Sequence, residues 1–292
     1  MTYRFETVDV FTDRRFGGNP LAVFTDAEGL SGEEMQALAA EMNLSETSFV
    51  LPPADPANTA RVRIFHRTAE MPFAGHPSIG TAYVLARLGR VTGGEARLEV
   101  PAGLVRVAIA TAPNGTPTGG RLTVPQPLQL GQAVEPGTVA ACMGIATSDV
   151  RVEAHAPRAA SMGVQFILAE VAPDALGRCT PDLATFRAAL QPWMNGRLSL
   201  LAYAREGDGV RARMFAPLAG TFEDPATGSA AAALGGLLLS LDGKDSLAFT
   251  IAQGVEMGRP SRIEAAAERT SGGIIAHVGG SCVPMFRGET QV

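Results

Sequence analysis

The sequence predicts an α+β protein of two pseudo-symmetric domains, each a curled, barrel-like and mostly antiparallel sheet around a central helix. The length of 292 residues suits two units of about 150 residues each. The pentapeptide Arg61-Val62-Arg63-Ile64-Phe65 returns 150 positions later as Arg211-Ala212-Arg213-Met214-Phe215. A loop of Pro, Gly and acidic residues follows each copy, and then an uncharged stretch. The two halves are therefore predicted to be an internal repeat of one structural unit.

The predicted elements follow the same order in both halves. Short apolar runs bounded by turn residues predict strands, and longer apolar stretches predict helices. The first half has predicted strands at 21–24, 47–51, 61–65, 96–100 and 104–110, and helices at 31–42 and 77–88. The second half has predicted strands at 164–171, 198–204, 210–215, 247–252 and 262–267, and helices at 181–190 and 229–241.

The uncharged stretches predict helices that are buried on every side. Residues 225–241 carry no charge, yet Gly228, Gly235 and Gly236 interrupt them, and the stretch is shorter than the ~18 to 20 apolar residues of a membrane span. A helix that is apolar all round must be covered all round. Each interior glycine costs ~1 kcal/mol of helix propensity, so the adjacent pair predicts backbone packed closely against a neighbour. A sheet curled around the helix provides such surroundings.

Residues 112–120 are dense in Pro, Asn and Gly and predict a linker between the halves. We expect the first domain to comprise residues 1–118 with a C-terminal segment of about 279–292. The second domain would comprise residues 119–278.

Charge and composition favour a small ligand over a macromolecular one. The chain has 24 Lys and Arg against 29 Asp and Glu, a net charge of −5, and no basic run. Nucleic acid and an anionic membrane surface are therefore disfavoured as partners. The one lysine, Lys244, lies in a hydrophilic turn, which argues against pyridoxal phosphate chemistry and against a Walker A site.

The sequence favours a cytoplasmic location. Cys142, Cys179 and Cys282 are odd in number and far apart, so they predict neither a disulfide framework nor a thiolate zinc site. Charged residues among the first fifteen leave no apolar stretch for a signal peptide.

The starts of the two central helices are candidate anion sites. They lie at Gly75-His76-Pro77 and Gly228-Ser229, where proline at the first helical position and a serine cap are start signals. Free backbone N–H groups and the positive end of the dipole favour a carboxylate there. If both starts face one cleft, amides can hold a small acid between them. Taken singly, each is an ordinary capped helix.

Three titratable residues lie near these starts. Glu46 stands between a predicted helix and a strand, His76 begins the first central helix, and Asp224 precedes Pro225 ahead of the second. On spacing alone Glu46 is a solvated loop acid and Asp224 a turn residue. His76 titrates near neutral pH, and the helix dipole should lower its pKa.

Two other constellations are weaker. His66, Glu70 and His76 lack the i, i+4 spacing of a zincin, so we expect no metal. Ser229 lacks the G-x-S-x-G elbow of a hydrolase nucleophile, and a capping or oxyanion-type role suits it better.

Several motifs together resemble the PhzF-like phenazine biosynthesis family, which has the diaminopimelate epimerase fold. They run in the family's order through nearly the whole chain, and the matching segments are 8–12, 16–23, 43–50, 73–77, 223–230, 253–255 and 257–261. The resemblance implies an isomerase that moves a proton on a small amino- or hydroxy-substituted carboxylic acid, without metal or organic cofactor. It also implies a homodimer.

The resemblance assigns roles residue by residue. Glu46 matches the catalytic glutamate, in the cleft between the domains, that takes a proton from one carbon and returns it at another. His76 would aid proton delivery or polarisation, Asp224 would orient a polar substrate group such as an amine, and Ser229 would help hold the carboxylate. The substrate-binding positions are Gly75, Gly228, Thr227 and Asn19.

Relatives of the same fold, diaminopimelate epimerase and proline racemase, use a cysteine at each helix start. This chain has His76 and Ser229 there, which disfavours two-thiol racemisation. Two alternatives stay open: a non-catalytic carboxylate-binding protein on the same scaffold, and an acyl hydrolase that uses Ser229.

Overall fold

Each half of the chain folds as a sheet around one helix, as the internal repeat predicts. The structure is a computed structural model that describes residues 1–292. It divides into unit 1, which comprises Met1–Thr123 and Gly279–Val292, and unit 2, which comprises Val124–Val278.

Unit 1 contains the first eight strands and two helices. The strands are β1 (Thr2–Val10), β2 (Asn19–Phe24), β3 (Glu46–Leu51), β4 (Ala60–His66), β5 (Glu70–Met71), β6 (Glu95–Val100), β7 (Gly103–Thr111) and β8 (Pro117–Thr123). The helices are α1 (Gly32–Met42) and α2 (Gly75–Arg87).

Unit 2 contains most of the remaining elements. Its strands are β9 (Gln129–Ala133), β10 (Arg158–Ser161), β11 (Gln165–Glu170), β12 (Leu200–Glu206), β13 (Gly209–Ala216), β14 (Thr221–Asp224), β15 (Ser246–Gln253) and β16 (Ser261–Thr270). Its helices are α3 (Pro136–Met143), α4 (Pro173–Leu176), α5 (Leu183–Ala188) and α6 (Gly228–Leu241), with 3-10 turns at Thr147–Asp149, Pro192–Met194 and Pro217–Ala219. The last strand, β17 (Gly273–Gln291), returns to unit 1 from Gly279 onward.

The strand pairing repeats between the units. In unit 1, β2 pairs with β3 in parallel and β4 pairs with β6 in parallel, while β1–β2, β3–β4, β6–β7 and β7–β8 are antiparallel. In unit 2 the parallel pairs are β11–β12 and β13–β15, and β10–β11, β12–β13 and β15–β16 are antiparallel. In unit 1, β17 pairs with both β1 and β8 and closes the sheet into a barrel.

Both central helices are enclosed as their composition predicts. Every residue of α2 from Gly75 to Leu85 is buried, and in α6 the buried residues are Gly228 and Ala230 to Leu239. Strands β1, β2, β7 and β8 pack on α2, and strands β10, β11, β15 and β16 pack on α6. The predicted α+β class, a curled sheet around one helix in each half, is confirmed.

Glycine allows close packing at some positions in these helices and not at others. A Cβ on Gly236 would lie 3.0 Å from Leu128 Cδ1, but one on Gly235 would approach nothing closer than 3.8 Å. The prediction of close backbone packing at Gly235 and Gly236 is therefore right for Gly236 only. The tightest helical position is Gly80 in α2, where a Cβ would lie 2.6 Å from Leu21 Cδ2.

Helix α1 leads the chain to the start of β3. Ser31 and Glu34 form a capping box at its N-terminus, and Asn43 ends it in the left-handed conformation with a φ of 51°. Met35 and Ala39 on its inner face pack in a core with Phe49 of β3. Capping and packing together fix where the chain enters β3.

The predicted linker at 112–120 is wrong. Its first part is the turn between β7 and β8, and its second part belongs to β8, which pairs with β7 through Val107↔Leu122. A hairpin turn and a linker have the same composition, so the residues alone do not distinguish them. Unit 1 consequently runs to Thr123 instead of ending at 118.

Several elements were not predicted. Strand β1 carries charges at Arg4, Glu6 and Asp9, which hide its alternation, although Glu6 and Asp9 are buried. Helix α3 is also absent from the prediction, and the helix predicted at 181–190 is limited to Leu183–Ala188. No helix in the structure has both the length and the apolar composition to cross a bilayer.

We expect Gly80→Ala to destabilise the protein by up to about 2 kcal/mol, because overpacking against Leu21 costs about 1–3 kcal/mol and helix propensity offsets up to about 1 kcal/mol of it. Gly235→Ala is the matched control in α6. It should stabilise the protein by up to about 1 kcal/mol through helix propensity. Urea unfolding of both variants measures the difference, and equal effects would contradict the packing described here.

Candidate active site

In unit 1 the predicted base, Glu46, is the first residue of β3. It pairs in register with Leu21 of β2 and His66 of β4, so strands on both sides fix its backbone. Its side chain is 16% exposed. The preceding residue, Ser45, donates a hydrogen bond from its hydroxyl to Asn19 Oδ1 over 2.9 Å. Glu46 is thus a mostly buried carboxylate on a rigid element, and not a solvated loop acid.

The loop before Asn19 is itself held in place. The buried carboxylate of Asp9 accepts the N–H of Phe16 over 2.9 Å. Gly18 has a φ of +65°, and a Cβ there would clash with the carbonyl oxygen of Val10, so only glycine fits. Asn19 follows as a fully buried residue. These contacts fix the residue that in turn holds Ser45.

The second predicted residue of unit 1, His76, lies beside Glu46. It is the second residue of α2, and its Nδ1 is 3.4 Å from Glu46 Oε2. The ring also hydrogen-bonds the backbone of Pro20. Its Nε2 is buried and has no hydrogen-bond partner. Nδ1 is therefore the nitrogen that meets Pro20, and since a carbonyl can only accept, we assign the proton to Nδ1.

His76 is neutral at physiological pH. Burial lowers its pKa to about 3, against the smaller raising effect of the hydrogen bond to Pro20. The direction agrees with the sequence prediction, but desolvation is the main cause. The contact with Glu46 is therefore not an ion pair, and it is long for a hydrogen bond. Nε2 is left as an acceptor.

In unit 2 the predicted residues Asp224 and Thr227 contact each other directly. Asp224 ends β14 and is 7% exposed. Its Oδ2 accepts a hydrogen bond from the Thr227 hydroxyl over 2.5 Å. Thr227 is the N-cap residue of α6, Gly228 is the first helical residue, and Ser229 is the second and is partly exposed.

Sequence reasoning assigned no role to Gln253, at the end of β15. Its Nε2 donates to the carbonyl oxygen of Asp224 over 2.7 Å and to Thr227 Oγ1 over 3.0 Å, and its Oε1 accepts the N–H of Thr227 over 3.3 Å. Ser261 adds a hydrogen bond from its hydroxyl to the carbonyl of Pro225. A glutamine expected inside the core is the signal that could have identified this support.

The two helix starts differ from the predicted caps. The N-cap of α2 is Ala74, which has no side-chain hydrogen bond, and Pro77 is the third helical residue instead of the first. The N-cap of α6 is Thr227 and not Ser229, and no side chain bonds to its first amides either. Both starts therefore leave backbone N–H groups available to an anion.

The structure has neither a metal-ligand cluster of three side chains nor a cysteine at either helix start. No group of three or more His, Cys, Asp or Glu side chains is arranged to hold a metal ion. Glu70, one of the three residues weighed as metal ligands, is paired with Arg63. The three cysteines are free and buried, none lies at either helix start, and burial raises the pKa of Cys142 and Cys179 to about 11.

The sequence is similar to known isomerases along most of its length. Residues 8–288 match the PhzC-PhzF family, described as phenazine biosynthesis-like protein. An uncharacterized isomerase of Mesorhizobium japonicum is 39% identical over 300 residues, with 99% of this chain and 98% of the relative covered. The trans-2,3-dihydro-3-hydroxyanthranilate isomerase of Pseudomonas aeruginosa is 36% identical over 276 residues, with 91% of each chain covered.

Solved structures agree with these matches. A PhzF-family phenazine biosynthesis protein of Bacillus anthracis aligns with a TM-score of 0.88 and 25% identity over 100% of both chains. A hydroxyproline epimerase from Agrobacterium vitis aligns with a TM-score of 0.63 and 14% identity over 99% of this chain and 92% of the other. The second likeness concerns the fold alone, and it supports the diaminopimelate epimerase-like architecture.

The neutral state of His76 can be observed directly by NMR. The chain has four histidines, and the ring C–H resonances of His76, assigned by their loss in His76→Gln, should not shift between pH 5 and 8. Unfolded histidine binds a proton below about pH 6.5. The wild type should therefore lose stability relative to His76→Gln as the pH falls below that value. A midpoint between pH 6 and 7 would contradict the assignment.

The support from Gln253 can be tested by Gln253→Leu. The substitution leaves the buried carbonyl of Asp224 without its donor, and we expect a loss of about 1–3 kcal/mol in urea unfolding. Gln36→Leu is the control, because Gln36 is partly exposed and water can replace its hydrogen bond to the carbonyl of His66. Equal losses in the two variants would argue against a special role for Gln253.

Proposed function

The chain belongs to the PhzC-PhzF family of phenazine biosynthesis-like proteins and is an isomerase, and from this premise we propose that Glu46 is its proton-transferring group. In this proposal Glu46 takes a proton from one carbon of a small amino- or hydroxy-substituted carboxylic acid and returns it at another. The reaction needs no metal and no organic cofactor. The observation that carries the proposal is the mostly buried Glu46 carboxylate beside a neutral imidazole.

The burial of Glu46 suits a general base. Its side chain is 16% exposed and its backbone is fixed in β3, so the carboxylate can be held in one orientation toward a bound substrate. Protonation must be reversible, because the same carboxyl group has to return the proton. General base catalysis typically contributes about 10²–10⁴-fold, so further stabilisation of the developing negative charge is required.

We assign polarisation and orientation to His76, and not proton delivery. An imidazole with a pKa of about 3 holds no second proton to give at neutral pH. Its unpartnered Nε2 can accept a hydrogen bond from a hydroxyl or ammonium group of the substrate. An acceptor at this position favours a substrate that carries a hydrogen-bond donor near the reacting carbon.

The helix starts supply the charge stabilisation in this proposal. Backbone amides at Gly75 in unit 1 and at Gly228 and Ser229 in unit 2 are free of side-chain caps. One well-placed oxyanion donor contributes roughly 3 kcal/mol. Asp224 and Thr227, fixed by Gln253, are assigned to binding a polar substrate group such as an amine. That the residues of both units act on one substrate molecule stays a prediction.

The relatives suggest the class of substrate. The name of the Pseudomonas aeruginosa relative specifies trans-2,3-dihydro-3-hydroxyanthranilate, a ring that carries amino, hydroxy and carboxylate groups. These are the groups that an imidazole acceptor, a buried carboxylate and free amides can bind. We propose a substrate with the same three groups. The homodimer and the cytoplasmic location stay predictions.

The hydrolase alternative has little support in unit 2. Ser229 would need a histidine base, and both histidines of that unit are engaged elsewhere. His155 is hydrogen-bonded to Tyr203 and to the carbonyl of Ala156, and His277 is paired with Glu268. A non-catalytic carboxylate-binding protein is disfavoured by the isomerase relatives.

The direct test is exchange of carbon-bound protons in deuterated water, followed by proton NMR. The probes are trans-2,3-dihydro-3-hydroxyanthranilate and a panel of small amino and hydroxy acids. We expect Glu46→Gln to slow exchange by about 10²–10⁴-fold while binding of the probe persists, because the amide keeps the shape but cannot take the proton. Glu41→Gln, at an exposed acid of α1, is the control and should exchange at the wild-type rate. Normal exchange by a ligand-binding Glu46→Gln variant would exclude Glu46 as the base.

A further inference from the structure

An arginine–glutamate pair of the same geometry occurs in each unit, just before the central helix. In unit 1, Arg63 Nε and Nη2 donate to the two carboxylate oxygens of Glu70 over 2.7 and 2.6 Å. In unit 2, Arg213 Nε and Nη2 donate to the two oxygens of Glu223 over 2.8 Å each. Both pairs are bidentate, which fixes direction as well as distance.

The surroundings of the two guanidinium groups also repeat. Arg63 lies over the ring of Phe65 and Arg213 over the ring of Phe215, each 5.0 Å from the ring centroid. Both arginines belong to the repeated pentapeptide that first revealed the two halves. The repeat therefore preserves a three-residue arrangement of arginine, phenylalanine and glutamate.

The distance along the chain from the glutamate to the helix start is the same in both halves. Glu70 stands five positions before Gly75, the first residue of α2, and Glu223 stands five positions before Gly228, the first residue of α6. Arg63 and Glu70 are seven positions apart, whereas Arg213 and Glu223 are ten apart, so the second loop is three residues longer in this part. The segment from the arginine to the glutamate therefore differs in length between the halves, whereas the segment from the glutamate to the helix has the same length in both.

The backbone alone holds these segments weakly. β5 has two residues, and the pairing of β14 with β13 is irregular between Met214 and Ala216. No side chain caps the amides at the start of α2 or α6. Few main-chain bonds therefore fix where the chain leaves the sheet for the helix, and a bidentate side-chain pair supplies the missing constraint.

Each pair lies close in sequence to residues of the candidate site. Glu223 directly precedes Asp224, and Glu70 precedes His76 by six positions, which is also the distance from Glu223 to Ser229. The hydrogen bond to Arg63 lowers the pKa of Glu70 below its ordinary value. Any effect of either pair on the reaction is therefore expected to act through the short segment between the glutamate and the helix.

We propose that Arg63 with Glu70 and Arg213 with Glu223 are positioning residues that set the starts of α2 and α6. The proposal rests on the proposed function for its kinetic consequence, and on geometry for its structural one. The first pair positions His76 against Glu46, and the second positions Asp224 and the Gly228 amide. The ordinary alternative is a pair of cross-strand salt bridges that contribute stability and nothing else.

The two pairs differ in burial, which makes unit 1 the better place for the test. The side chains of Arg63 and Glu70 are 30% and 33% exposed, whereas those of Arg213 and Glu223 are 8% and 14% exposed. Arg213 also donates to the carbonyls of Leu176 and Cys179. Loss of the pair that is about one-third exposed costs little stability, but loss of the buried one can unfold the protein.

In unit 1 the test is Glu70→Gln, with Glu95→Gln as control. Glu95 forms an exposed cross-strand ion pair with Arg106 that leads to no helix start. We expect Glu70→Gln to shift the melting temperature by less than about 4 °C and to lower kcat about 10- to 100-fold, with KM nearly unchanged. Glu95→Gln should leave both kinetic constants unchanged. Arg63→Glu should lose activity, and Arg63→Glu with Glu70→Arg should regain most of it.

In unit 2 the variant is Glu223→Gln, measured on the folded fraction at low temperature. We expect mainly a raised KM, because the neighbouring Asp224 is assigned to binding. Salt bridges that contribute only stability would not lower kcat in Glu70→Gln and raise KM in Glu223→Gln. Unchanged kcat in a folded Glu70→Gln variant, or no rescue by the reversed pair, would overturn the proposal.

Backbone amide exchange separates this proposal from the proposed function. In Glu70→Gln the hydrogen-bonded amides among residues 71–78, such as that of Ser78, should exchange at least about tenfold faster, while those of β6 and β7 stay at the wild-type rate. If the wild type exchanged carbon-bound protons on no probe, the proposed function would fail, and the amide measurement would still test positioning. Unchanged amide exchange at 71–78 would overturn positioning even in an active enzyme.

Discussion

A helix without a polar face must be enclosed on all sides, and the rest of this structure depends on that constraint. Helices α2 and α6 have no face for water, so each requires a sheet that curls around it. Inside such a sheet the helix amides are satisfied along the whole length except at the first turn. Polar chemistry is thereby confined to the helix start. Glu46 and His76 meet at one start, and Asp224 and Thr227 meet at the other.

Burial also determines how the polar groups divide the work. The enclosure that stabilises α2 removes the His76 ring from water and keeps it neutral. In the proposed mechanism Glu46 is therefore the proton carrier of that pair. The residues around Glu46 and Asp224 are held by side chains that have no part in the proposed proton transfer. Asn19 holds Ser45 beside Glu46, and Gln253 holds Asp224 and Thr227. The repeated Arg–Glu pairs extend the same principle to the helix starts, because a short strand cannot place a reactive group by its backbone alone.

The sequence was most informative where one local property decides the structure. Residues 225–241 are uncharged, and that alone predicts a fully buried helix. It was least informative where a contact joins distant positions. Gln253 is 29 positions from Asp224, and no local sequence pattern predicts the hydrogen bond between them. The sequence points to Ser229 as the cap of α6 because serine is the stronger N-cap signal, but the backbone path makes Thr227 the N-cap. Residues 112–120 were mistaken for a linker because turns share its composition.

The central claim is that a carboxylate-bearing substrate reacts at the start of α2, beside Glu46. The most direct measurement is a crystal structure with anthranilate bound, since this stable amino acid carries the amino and carboxylate groups of the proposed substrate. The account predicts a ring carbon within about 3.5 Å of a Glu46 carboxylate oxygen, the distance of a near-attack arrangement. Anthranilate bound only elsewhere on unit 1, such as the groove of about 770 Å³ lined by Arg61 and Glu99, would contradict it.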